Sequence, residues 1–128
     1  MRVLLDTSTL LWALLEPKRL SRSARTLLED IDTEICTSSV SAYEIARKHQ
    51  LGKLDSASAV VKGYGNHLRE LGAHEIELTG IHAITAARLP TEHRDPFDRL
   101  LAAQSLIEDI PIVTSDPAIG ALGAMTVW

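Results

Sequence analysis

Strand-length apolar runs alternate with helix-length segments from one end of the chain to the other, and this alternation limits the possible folds more than any other feature. Arg2 to Leu5 is a short apolar run with the length of a buried strand. Thr7 to Leu15 follows with Leu10, Leu11, Leu14 and Leu15 at helical spacing, and Glu16-Pro17 ends it. Ser21 is suited to cap a helix to Glu29 that carries Ala24, Leu27 and Leu28 on one face. Glu34 to Thr37 reads as a second strand. Ser39 or Ser41 caps a helix through His49, and Gly52 supplies its stop. Ser56 to Leu71 reads as helix although it contains Gly63 and Gly65, Glu75 to Leu78 as a third strand, and Ile81 to Leu89 as a helix. Asp95-Pro96 opens a helix to Glu108, with Asp as cap and Pro at the first helical position. Ile110 to Thr114 is a fourth strand, a helical turn follows Pro117, and Met125 to Trp128 is a fifth strand. Repeated crossovers of this kind give a parallel sheet with helices on both faces, an α/β fold.

The chain has 128 residues and no internal repeat, charge block or linker, so residues 1–128 read as a single domain with one core. Hydrophobic residues at 45% and charged residues at 23% exclude a disordered chain. Cys36 stands alone, which excludes an internal disulfide framework and fits a reducing compartment. The apolar stretch Val3 to Leu15 is interrupted by Asp6 and three hydroxyls, well short of the ~20 residues that cross a bilayer. It also lacks the basic head and cleavage site of a signal peptide, so a cytoplasmic protein without a membrane partner is expected. A net charge of −4 excludes a polycation. Local basic groups still offer phosphate contacts: Lys18, Arg19, Arg22 and Arg25 early in the chain, Arg94 and Arg99 later. The other reading of the early cluster is a solvated face.

Sites in open parallel sheets form at the carboxyl ends of the strands. Asp6 follows the first strand directly, and Asp116 follows the fourth after Thr114-Ser115, so adjacent first and fourth strands bring both acids to one crevice. Asp98 lies in the first turn of the Asp95 helix, and the expectation here is that this helix must tilt or start high to reach that crevice. Each acid has a plainer role. Asp6, Asp95 and Asp116 suit turns or helix caps, Asp98 suits the positive end of a helix dipole, and Glu44 with Lys48 suits an exposed ion pair. Other chemistries fit less well. His49, His67, His74, His82 and His93 share no metal-ligand spacing, there is no glycine-rich phosphate loop, and Ser8 and Ser115 lack a histidine partner for a triad. Trp12 reads as a core or interface anchor, and Tyr43 and Tyr64 do not form the stacking platform of an RNA-recognition sheet.

Four stretches, in order along the whole chain, together resemble a known family. Val3-Leu4-Leu5-Asp6-Thr7-Ser8-Thr9-Leu10-Leu11-Trp12 resembles the opening of PIN-domain ribonucleases, specifically VapC-type toxins of toxin–antitoxin pairs. Ser38 to Ala46, with Lys48 and Leu51-Gly52-Lys53-Leu54, is similar to their second motif. His93-Arg94-Asp95-Pro96-Phe97-Asp98-Arg99-Leu100-Leu101-Ala102-Ala103-Gln104 is similar to the third, and Val113-Thr114-Ser115-Asp116 to the fourth. Ser8 departs from the residue usual in this subgroup.

The resemblance implies a five-stranded parallel sheet in the order 3-2-1-4-5, bound Mg²⁺ or Mn²⁺, endonuclease action on RNA, a homodimer and a cognate antitoxin. It makes Asp6, Glu44, Asp98 and Asp116 the catalytic acids, with Asp6, Asp98 and Asp116 on the metal and Thr114 or Ser115 as the supporting hydroxyl. Arg22, Arg94 and Arg99 are the expected RNA contacts. Hard divalent ions favour such oxygen ligands, and four acids in one crevice repel one another until a cation joins them. The alternative is a catalytically silent PIN-fold binding module or co-repressor working with an antitoxin. A phosphatase of the haloacid-dehalogenase type is rejected, because Ser8 stands where its motif needs a second Asp.

Overall fold

The computed structural model describes residues 1–128. Its strands are β1 (Arg2–Leu5), β2 (Glu34–Ser38), β3 (Ala73–Ile76), β4 (Ile112–Val113) and β5 (Thr126–Val127). Its helices are α1 (Thr7–Leu15), α2 (Arg22–Glu29), α3 (Ser39–Gln50), α4 (Ser58–Lys62), α5 (Tyr64–Leu71), α6 (Gly80–Arg88), α7 (Pro96–Glu108) and α8 (Pro117–Gly120). The strands form one sheet ordered β3-β2-β1-β4-β5, with every pairing parallel. The expected α/β architecture, strand order included, is the one observed.

The side-chain alternation of β1 splits the core in two. Val3 and Leu5 point to one face and join Leu10, Ala24, Ile35, Ile45 and Val60 beneath α1 to α5. Leu4 points to the other, with Cys36, Leu101, Ile112 and Ile119 beneath α7 and α8. A strand apolar on both faces is what a sheet covered by helices on each side requires.

Several boundaries differ from the sequence reading, among them those of β4 and β5, which shorten to Ile112–Val113 and Thr126–Val127. The third strand begins two residues earlier, at Ala73, because Gly72 turns the chain out of α5 in a left-handed conformation (φ 72°). It also ends earlier, because Ile76 pairs with Ser38, the last residue of β2. Beyond Ser38 the neighbouring chain becomes α3, so Glu77 and Leu78 have no strand to join. The 56–71 segment is two helices, α4 and α5, parted at Gly63. The cap of α3 is Ser38, whose hydroxyl accepts from the Val40 N–H. Ser41 instead exchanges a buried hydroxyl–hydroxyl hydrogen bond with Thr7 of α1.

Candidate functional site

The junction of β1 and α1 fixes Asp6 with no spare residue, since the strand ends at Leu5 and the helix begins at Thr7. Its backbone N–H donates to Val113 O, tying it to β4. Its Oδ1 caps α1 by accepting from the Thr9 N–H at 2.7 Å, and its Oδ2 accepts from the Thr114 hydroxyl at 2.5 Å. Thr114 Oγ1 in turn accepts from the Asp116 N–H at 3.0 Å, which leaves its own proton for Asp6. The capping role read from sequence is therefore real, yet the carboxylate is only 6% exposed. Burial pushes its pKa above the usual carboxylate value, the Thr114 and Thr9 hydrogen bonds oppose the shift, and the nearby Asp116 charge adds to it.

Asp98 needs no tilt of its helix to reach the same edge. A 13-residue α7 is about 20 Å long. Because it runs antiparallel to the strand it feeds, its start lies at the carboxyl edge of the sheet. The expected need for a tilt or high start is thus corrected by helix length and direction alone. Asp95 does the capping, its Oδ1 accepting from the N–H groups of Phe97 and Asp98. That leaves the Asp98 carboxylate for other work, and its Oδ2 lies 2.9 Å from His93 Nε2. Burial raises its pKa first of all; the His93 hydrogen bond opposes this, and the Asp95 and Asp116 charges add to it. Asp116 therefore acts on both Asp6 and Asp98. It is exposed and caps α8 through the Ala118 N–H.

Glu44 is placed differently. It is buried on α3, with the Lys48 ammonium 2.5 Å from its Oε2. The ion pair anticipated from the i, i+4 spacing is formed, but on a buried acid, and Lys48 rather than Asp6 or Asp98 is the side-chain partner of Glu44. Of the two candidate hydroxyls, Thr114 is buried and touches Asp6, whereas Ser115 is exposed. The charge of Asp116 thus reaches both Asp6 and Asp98, and no three metal-ligating side chains converge on a single point.

The three expected RNA-contacting arginines divide. Arg99 is a correction: its Nε donates to Ala86 O, one terminal nitrogen to Thr91 O and His93 O, and the other to Ala87 O and Leu89 O. With all five guanidinium N–H donors on backbone carbonyls, none is free for a phosphate. Arg99 closes the end of α6 and pins the loop that carries His93. Arg94 is exposed in that loop, in a polar cleft shared with Glu92 and His93. Arg22 is exposed at the start of α2, in a shallow cleft with Thr26 and Asp30 that includes none of Asp6, Glu44, Asp98 and Asp116.

His93 and the Arg99 clamp escaped sequence reasoning. The available signal was the spacing of His93, five residues ahead of Asp98 in one motif, which a search for metal-ligand spacing passes over.

The family model described as "PIN domain" matches residues 3–124. No curated protein matches the chain. Among solved structures it is similar to one of VapBC2 from Rickettsia felis bound to a DNA fragment from their promoter: TM-score 0.71, 17% identity, 99% of this chain and 98% of that one covered. It is also similar to a structure of FitAB bound to an IR36 DNA fragment, with TM-score 0.59, 16% identity, and 98% and 93% covered. At such identities the likeness speaks for the fold.

Proposed function

This chain belongs to the PIN domain family, and on that premise we propose that it is a metal-dependent endoribonuclease acting as the toxin of a toxin–antitoxin pair. The observation that carries the reading is the grouping of Asp6, Asp98 and Asp116 at the carboxyl edge, with burial and the Asp116 charge raising the first two. A like-charge cluster of hard oxygen donors suits Mg²⁺ or Mn²⁺, which takes one or two carboxylates directly and keeps waters. Asp6 and Asp98 are the principal ligands, and Asp116 binds directly or through water. When bound, the divalent ion supplies a water of lowered pKa and positive charge facing the phosphate.

The protein's own part is positional. The Thr9 N–H and the Thr114 hydroxyl hold the Asp6 carboxylate in one orientation, and His93 holds that of Asp98. Glu44, ion-paired with Lys48, acts through water or as a base. Arg94, and more remotely Arg22, offer phosphate contacts. The similarity to VapBC2 and FitAB, both bound to DNA fragments, supports a cognate antitoxin partner. A single domain, a homodimer and a cytoplasmic location complete the proposal; no helix is long and apolar enough to cross a membrane.

The test pairs cleavage with unfolding. Single-stranded RNA is cut in Mg²⁺ or Mn²⁺ and not in EDTA. At a Mg²⁺ concentration 100 times its dissociation constant the wild type gains about 2.7 kcal/mol of stability, and Asp98→Asn gains far less. No cleavage with either ion, in folded protein, would instead support a silent binding module or co-repressor.

A further inference from the structure

The acidic edge carries a feature that the acids themselves do not explain. Tyr43 and Phe97 stand against each other with ring centroids 5.9 Å apart and planes tilted by 40°. Tyr43 precedes Glu44 on α3 and Phe97 precedes Asp98 on α7, so the rings meet where the two acid-bearing helices approach. Tyr43 is nevertheless 62% exposed. The chain has only two Trp, two Tyr and one Phe. Trp12 and Trp128 pack against each other, 5.8 Å apart and tilted by 58°, and Tyr64 is half-buried. The remaining two aromatic residues are this pair.

A ring fixed from one side and open on the other is pre-organised to receive a flat apolar partner. The acids beside it and the net charge of −4 work against phosphate, so an uncharged contact to a base adds affinity that the few phosphate contacts of Arg94 and Arg22 do not supply. Base–aromatic stacking is such a contact and tolerates any base. We propose that Tyr43, supported from behind by Phe97, stacks on an unpaired nucleobase next to the phosphate being cut. The platform lies between two helices, which is why it is absent from a search for the aromatic strands of RNA-recognition sheets.

This inference rests on the RNA-cleaving reading, and its test separates the two. With a mixed-sequence single-stranded RNA, Tyr43→Ala raises KM about tenfold and leaves kcat near that of the wild type. Tyr43→Phe, which keeps the ring, restores KM, and the dependence of KM on salt is the same in all three because no phosphate contact is lost. In an Asp98→Asn background, which leaves the strand intact, the same RNA carrying 2-aminopurine is quenched on binding, and Tyr43→Ala abolishes the quench. Unchanged KM and quench in Tyr43→Ala, beside normal wild-type cleavage, overturn the platform alone. A change in self-association with RNA binding intact also overturns it, marking the rim as a protein contact. Quenching that depends on Tyr43 in a protein that never cuts RNA upholds the platform and removes the nuclease; no binding and no cutting removes both.

Discussion

Two helix starts frame the acidic edge, and they divide their work differently. At the start of α1 one side chain does everything: Asp6 caps the helix with one oxygen and receives the Thr114 hydroxyl with the other while almost wholly buried. At the start of α7 the tasks are split, Asp95 capping and Asp98 facing His93. The cause is the length of chain available. The first helix begins one residue after its strand, whereas α7 follows a loop of several residues whose carbonyls are gathered by Arg99. Charge and fold are consequently inseparable at Asp6 and separable at Asp98.

The sharpest way to break that contrast is to release the loop. Arg99→Ala removes five carbonyl hydrogen bonds from a charged donor and should cost about 3 kcal/mol in urea unfolding. Arg99→Lys should recover less than half of this, because an ammonium cannot reproduce the planar fork. A loss within about 0.5 kcal/mol, typical of a surface residue, would remove the clamp from the account.

Next come the acids. Asp98→Asn should lower RNA cleavage about a hundredfold or more, the scale of a lost metal ligand, with stability in EDTA unchanged or higher. Asp6→Ala should lose comparable activity and also about 2 kcal/mol of stability, since it removes a cap and orphans the Thr114 hydroxyl. Equal stability changes for Asp6→Ala and Asp98→Ala would erase the difference between the two helix starts. Asp95→Ala should cost about 1 kcal/mol, as an ordinary cap does.

The smallest effect is with pH. Asp6 and Asp98 both have folded pKa values above the ordinary 3.8, with burial the first cause, so the native state holds their protons more tightly than the unfolded chain does. Their contribution to stability is full below 3.8 and is lost as pH rises through the raised folded values. Asp98→Asn should flatten stability against pH in that window in EDTA. An unaltered profile would show that Asp98 is not destabilised by its surroundings.

Much of this was readable in the chain itself. The apolar runs at Arg2–Leu5 and Glu34–Thr37, separated by helical segments, lead to a parallel sheet because covered strands are apolar on both faces and crossovers need helices. Asp95-Pro96 declares a helix start because each residue has a local preference for that position. The four motifs single out Asp6, Glu44, Asp98 and Asp116, and the charge of Asp116 does reach both Asp6 and Asp98.

What sequence could not show are matters of partner. Whether β3 extends to Leu78 depends on where β2 ends, and whether Glu44 joins the other acids depends on how far α3 stands from β1 and β4. Arg99 looks like a phosphate ligand beside an acid until the carbonyls of α6 and the loop after it surround it. Tyr43 and Phe97, 54 positions apart, become one surface only when α3 and α7 pack. Local propensity and hydrophobic period act within a few residues and so determined the elements and their order. Hydrogen-bond saturation, burial of charge and the pairing of rings depend on groups distant in the chain, and only the tertiary structure decided them.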